Sequence, residues 1–401
     1  MEIENIWYGF EEKVSIASRQ ETSINEAPSI VSVITAEEIK NMEFRTFADV
    51  LRTVPGFEIR KMGDYGNVVP VVRGIDGANK VRVMLNGHLV NFPLWGDAFM
   101  YFDDFPVENI KKIEFIRGPG SAMYGENAFK GVINIITNNA EDINSVRVNT
   151  GYGSFDTIEE NITFGKRYGD IAFSGLLHYR TTNGHEGTIN SDTQTLVDSS
   201  ISSLGYAKTS EAPGSVEDWR REYNLNLKTI YKDFYIEGLY INKDTSSYLG
   251  PQYVLSDESD IELNYVFVEA GYKKTFEEIL TFRPRIYYDQ FERNGYFELI
   301  SEEGILPLDL DGDGAKETLE LYSDGLIGQT WGTQKIAGAE LPVDYQIFDE
   351  NTVTLGMEFR LINQTNIRYE TNFDPITYES LGSIQNFSDT LPYIEEVTRR
   401  I

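Results

Sequence analysis

The chain has 401 residues, and 35 Lys and Arg against 64 Asp and Glu leave a formal net charge of −29. Affinity for a phosphate backbone comes mainly from clustered cations, so this balance argues against nucleic acid as a partner. With no cysteine and only three histidines, disulfide scaffolds, zinc ribbons, thiol nucleophiles and multi-histidine metal sites drop out together.

Residues 1–26 read as an N-terminal extension that starts without the basic and apolar regions of a secretory signal peptide. Residues 27–141 read as a compact α/β unit. Thr35-Ala36-Glu37-Glu38 is a capping box, so a short helix should run to Met42. A second start at Thr46 places Phe47, Val50, Leu51 and Val54 on one face, and Pro55-Gly56 stops it. Strands are expected over 69–74, 81–85, 89–92, 110–117 and 131–137. Asn86-Gly87 supplies the positive-φ pair of a type I′ hairpin, with His88 beyond it facing solvent.

From Val146 the pattern changes, so the boundary is expected at 138–145 and residues 142–401 form a second domain. Alternating segments recur at 147–153, 157–166, 171–181, 219–231, 234–242, 262–275, 280–292, 331–345 and 351–364. Several exceed the ordinary strand of about 5–6 residues. One face is apolar or aromatic and the other polar, as in a transmembrane barrel, and in one segment Phe173, Leu177 and Tyr179 or their alternates should meet lipid. No run approaches the roughly 18 apolar residues of a membrane helix, so a membrane would be crossed by strands. Short turns at 168–170, 232–233 and 276–278 alternate with long polar connections at 182–218, 243–261, 293–330 and from 365. That asymmetry matches periplasmic turns and extracellular loops. A soluble antiparallel sheet also alternates, and the pattern alone leaves it open.

Within one long connection, Asp309-Leu310-Asp311-Gly312-Asp313-Gly314 followed by Glu320 satisfies the calcium-loop spacing D-x-[DN]-x-[DN]-G-x₅-E. Asp309, Asp311, Asp313 and Glu320 are candidate ligands for calcium, against a merely solvated acidic loop.

Several ordered blocks resemble the plug of TonB-dependent outer-membrane receptors: Ala27 to Ile39, Thr46 to Gly56, Val72-Arg73-Gly74-Ile75, Val83 to Gly87, Ile113 to Gly125 and Gly131 to Thr137. The resemblance implies a transmembrane antiparallel β-barrel, incomplete in this chain, with an N-terminal α/β plug domain, in the outer membrane of a Gram-negative bacterium. It implies that Val14, Ser15, Ile16 and Ala17 form a TonB box, an extended segment that recruits a TonB-type energy-coupling protein by strand addition; without the resemblance, an N-terminal tether with accidental Val and Ile stays open. Arg73 and Arg117 become plug–barrel contacts, with plug stability alone as the equal alternative. Tyr65, Asn67, Phe92, Leu94 and Trp95 become candidates for ligand contact at the plug apex, with packing against the barrel wall as the even alternative. Barrels with a plugged lumen close with about 22 strands. Nine segments, followed by Glu395 to Ile401 as an interruption rather than a closing strand, lead to the expectation of the N-terminal part of a receptor.

The implied function is active uptake of a scarce metal chelate, first a ferric siderophore and second cobalamin, with outer-membrane lipid as surroundings. The alternative is a passive porin-like or surface-adhesive barrel with a rigid plug. An enzyme ranks last, since no G-x-S-x-G, H-E-x-x-H or P-loop is present.

Overall fold

The computed structural model describes residues 13–14, 16, 22–23, 30–61, 68–206, 208–277, 279–309, 318–348, 351–388 and 398–400. Two compact units separate, one ending at Ser145 and the other beginning at Val146.

The first unit is built on a five-stranded mixed sheet in the order Val31–Thr35, Ile110–Ile116, Gly131–Thr137, Val81–Leu85, His88–Leu89. Its one parallel pairing joins Gly131–Thr137 to Val81–Leu85, and a separate three-stranded sheet comprises Phe57–Lys61, Val68–Val72 and Ile75–Asp76. Both helix starts form capping boxes. Thr35 Oγ1 accepts from the Glu38 amide at 3.2 Å while Glu38 Oε2 accepts from the Thr35 amide at 2.8 Å. Thr46 and Asp49 repeat the arrangement at the head of Phe47–Leu51. That helix ends three residues before Val54, because tight turns take over ahead of Pro55-Gly56. Its buried face meets an aromatic core, with Phe47 stacked on Phe99 at 6.0 Å.

The hairpin at Asn86-Gly87 forms with φ of 51° and 87°, but its second strand covers only His88–Leu89 rather than 89–92. Asn91 explains the difference. Its buried side chain accepts from the Val83 amide at 2.8 Å and donates to the Val81 carbonyl at 2.9 Å, replacing two ladder bonds of a neighbouring strand. His88 is 2% exposed and therefore buried, contrary to the expectation of a solvent-facing residue.

Among the described residues, the second unit carries nine long strands paired antiparallel in sequence order: Val146–Gly153, Thr157–Tyr168, Ile171–Thr182, Arg220–Tyr231, Phe234–Ser246, Asp260–Tyr272, Arg285–Ile300, Leu326–Phe348 and Asn351–Phe373. Burial alternates along them in the sense opposite to a water-soluble sheet. In Thr157–Tyr168 the buried row is Glu159, Asn161 and Thr163, while Ile158 and Ile162 are exposed. In Ile171–Thr182 the more exposed row contains Phe173, Leu177 and Tyr179, and the buried row contains Ser174 and His178. In Arg220–Tyr231, Glu222, Asn224 and Asn226 are buried, and Tyr223, Leu227 and Tyr231 are exposed. An apolar face turned outward over a buried polar face is stable only where the outside is hydrocarbon.

Aromatic residues mark two bands on that outward face. Tyr168, Tyr231, Phe234 and Tyr272 lie by the short turns, with Phe234 and Tyr272 rings 4.7 Å apart. Tyr179 and Tyr223 pair toward the long connections, 4.8 Å apart. Tyr223 and Tyr231 stand eight residues apart on one strand. At about 3.3 Å per residue this is about 26 Å, close to the ~25 Å apolar band of outer-membrane barrels.

Three features depart from the sequence expectation. The 280–292 segment breaks at Pro284, leaving Leu280–Phe282 paired with Lys274–Phe276 and Arg285–Ile300 as the long strand, because proline has no N–H for the ladder. The connections at 293–330 and from 365 contain long strand extensions, a hairpin of Gly304–Leu308 with Thr318–Tyr322, and the strand Ser380–Asn386. Thr398–Arg400, read as part of an interruption, pairs with Leu361 to Asn363.

Candidate functional site

The segment around Val14 is folded back on the plug. Lys13–Val14 pairs antiparallel with Thr22–Ser23, and Val14 and Ile16 are buried. The Ile16 side chain joins a cluster of Met84, Ile116, Tyr124, Ala128 and Val132. Its amide donates to Glu114 Oε2 at 2.9 Å, and its carbonyl accepts from the Tyr124 hydroxyl at 2.6 Å. Ser15 and Ala17 lie outside the described residues.

Glu114 is wholly buried within Ile110–Ile116 and pairs with Lys112 Nζ at 2.9 Å. Tyr124 closes the short helix Ser121–Tyr124, whose first turn returns amides of Met123 and Tyr124 to the Gly120 carbonyl. Gly120 is required by space, since a Cβ there would stand 2.6 Å from Val132 Cγ2. Buried Arg82 donates to the Tyr124 carbonyl and lies over its ring at 5.8 Å. Sequence reasoning identified the Ile113 to Gly125 block but not the contacts of Glu114 and Tyr124 with Ile16; the signal was a charged and a phenolic residue in an otherwise apolar motif.

At the apex loop the aromatic candidates separate. Phe92 is 3% exposed and packs against Trp95 at 5.6 Å and Tyr101 at 5.9 Å, as a residue of the plug core. Leu94 and Trp95 are 47% and 44% exposed. Tyr65 and Asn67 lie outside the described residues. Beside this loop Asp97 accepts from the Phe99 amide at 2.7 Å, and burial, aided by Asp103, pushes its carboxyl up to about 6.

Arg73 and Arg117 come together. Arg73 Nη2 donates to the Arg117 carbonyl at 3.0 Å, and both border a cavity of about 110 Å³ with Ile30, Pro55, Gly56, Phe57 and Val72. Partial burial, then the charges of Lys80 and Arg73, hold Lys130 below the usual lysine range, so this side of the plug is cationic.

Inside the strand unit, Glu159, Arg180, Glu222 and Lys243 face one another in register across four adjacent strands, giving alternating charges on the buried face. Directly opposed unlike charges stabilise neighbouring strands. A second group sits by the short turns, where Arg285 bridges Glu269 at 3.1 Å and Glu340 at 2.7 Å. Between them Tyr265 stacks on Phe291 at 4.2 Å and donates to Asp289 at 2.9 Å.

The long connections are ordered against each other. Asp192 caps the helix Thr193–Ile201 and accepts from Thr195, from the Ser210 hydroxyl at 2.7 Å and from the Leu255 amide at 2.9 Å. Burial alone would raise this carboxyl, but these donors outweigh it and hold Asp192 below the usual range. Gln194 adds a bond to the Ile305 carbonyl at 3.3 Å, joining a third connection. Of the candidate calcium ligands, Asp309 follows the strand Gly304–Leu308, while Glu320 lies within Thr318–Tyr322 opposite Leu306, and Glu320 Oε1 accepts from the Ser380 amide at 3.2 Å. Asp311 and Asp313 lie outside the described residues.

Residues 23–132 match the family described as the TonB-dependent Receptor Plug Domain. Residues 23–132 are thus similar to the plug of TonB-dependent receptors, and the strand unit shares its fold with solved outer-membrane receptors. The vitamin B12 transporter BtuB of Vibrio vulnificus is 34% identical over 151 residues, covering 37% of this chain and 24% of that protein. The pyoverdine outer membrane receptor FpvA of Pseudomonas aeruginosa superposes with a TM-score of 0.62 at 12% identity, over 92% of this chain and 51% of the receptor. The ferric citrate transporter FecA, unliganded, gives a TM-score of 0.61 at 16% identity over 97% and 54%. The chain thus spans about half the length of these solved receptors. Proteins of this family reside in the outer membrane of Gram-negative bacteria, and the relatives are receptors and transporters rather than enzymes.

Proposed function

We propose that this TonB-dependent receptor takes up a scarce metal chelate by energy-coupled transport. The observation that carries the reading is the burial of Val14 and Ile16, with the Ile16 amide bonded to Glu114, which a plug serving only as a stopper does not need. In this reading a ligand held outside biases the plug, the segment is released, and a TonB-type protein adds it as a strand to its own sheet. Exposed Leu94 and Trp95 are the apex residues offered to the ligand.

The substrate class is a ferric siderophore in the first reading. Cobalamin is the second, favoured by the likeness to a vitamin B12 transporter over 151 residues. We further propose calcium between Asp309, Asp311, Asp313 and Glu320; Asp309 follows the strand Gly304–Leu308 directly, and Glu320 lies in the strand that pairs with it.

Val14→Pro tests the coupled mechanism, because proline cannot donate in strand addition. The variant should bind ligand normally and fail to accumulate it in cells. Undiminished accumulation would favour the passive barrel.

A further inference from the structure

The plug holds the coupling segment by its backbone. Ile16 occupies a socket in which both of its peptide groups are taken: the amide by a buried carboxylate and the carbonyl by a buried phenol. One strand edge of the segment is also occupied, since Lys13–Val14 already pairs with Thr22–Ser23. A partner that recognises this segment by strand addition needs those same main-chain groups.

The geometry points to Glu114 and Tyr124 as a two-point clamp that keeps the segment closed to its partner. This rests on the coupled-uptake reading and assigns its regulation to two residues. Three features favour a clamp over incidental packing. Glu114 is a charged group placed in a sheet interior, and its carboxylate is divided between Lys112 on one oxygen and Ile16 on the other. A hydrogen bond to a charged acceptor is stronger than a neutral one, and leaving it unmade in a buried site is costly. Arg82 holds Tyr124 at its carbonyl and ring, contacts separate from the hydroxyl that meets Ile16. The grip acts on peptide groups, so it tolerates many side chains at position 16, while the apolar socket of Met84, Ile116 and Val132 selects among them by size.

Opening the clamp exposes Ile16 N–H, Ile16 C=O and an apolar side chain at one time, so the segment is released as a unit. Glu114 and Tyr124 are positioning residues in this scheme, because neither meets the transported ligand.

Hydrogen exchange resolved to the Ile16 amide, on the membrane-embedded protein without partner or proton gradient, tests the assignment. Tyr124→Phe removes only the hydroxyl and keeps the ring in its cluster; it should accelerate Ile16 exchange about fivefold to tenfold. Glu114→Gln keeps an acceptor of the same shape but loses the charge, and should accelerate the same amide. The Ile133 amide, in the centre of the plug sheet, should exchange at the parental rate in both variants. Unchanged Ile16 exchange in both would overturn the clamp. Equal acceleration at Ile16 and Ile133 would also overturn it, reducing both residues to general plug stability. The readout does not involve transport, so loss of the coupled-uptake reading would show in accumulation assays while Ile16 exchange kept its dependence on Tyr124.

Discussion

Leu177→Arg separates a lipid-facing wall from a water-facing sheet by magnitude. Leu177 lies mid-strand in Ile171–Thr182, 43% exposed, in register with Ile162 on one side and Leu225 on the other. An arginine at an exposed site in water changes stability by about 0.5 kcal/mol or less. At the middle of a hydrocarbon layer the cost is about 2–4 kcal/mol, falling to about 0–1 near the interface. The parent sequence follows this depth rule, since the outward row of Arg220–Tyr231 has Arg221 at its long-connection end and Leu225 and Leu227 in its middle. Tyr231→Arg, at the turn end of that row, is therefore the matched control. Reversible urea unfolding from phospholipid vesicles should show about 3 kcal/mol lost for Leu177→Arg and under about 1 kcal/mol for Tyr231→Arg. Equal, small losses at both positions would refute a lipid-facing wall.

Asp97→Asn should remove a pH dependence of plug stability. The folded carboxyl is raised to about 6, so its contribution is fully present below about pH 4 and is lost as pH rises through about 6. The shift corresponds to about 3 kcal/mol at most. Exchange at the Phe99 amide, compared between parent and variant from pH 4 to 7, reads that difference; parallel profiles would contradict it. For the 309–320 loop, calorimetry should give calcium-dependent heat with an affinity of about 10⁻⁴–10⁻³ M, abolished in Asp309→Ala with Glu320→Ala. Absence of heat in the parent protein would leave a solvated acidic loop.

What could be read from the sequence was whatever rests on local chemistry or on the two-residue period. Capping at Thr35 and Thr46 needs only residues three apart, and the Asn86-Gly87 turn needs only two tolerant of positive φ. The outward row of Phe173, Leu177 and Tyr179 follows from alternation once the environment is known. The packing of Phe92 was not legible, because Asn91 substitutes for a strand with its side chain where the sequence suggested a strand over 89–92, and the ring lies beside Tyr101. The extensions of Leu326–Phe348 and Asn351–Phe373 were missed for a different reason. At about 3.3 Å per residue, 23 residues reach about 75 Å, far beyond a hydrocarbon layer of about 30 Å. Beyond that layer both faces can be polar, so the ladder continues after the alternation has faded. The Glu159, Arg180, Glu222, Lys243 row depends on register between strands up to dozens of residues apart, which no single segment encodes.

Coupled transport is tested most directly by accumulation of radiolabelled ligand in cells that express the receptor, with ferric siderophores and cobalamin assayed in parallel. Collapse of the proton gradient should abolish accumulation of one of these chelates while leaving its surface binding intact. Accumulation that persists at the same rate without the gradient would contradict the account.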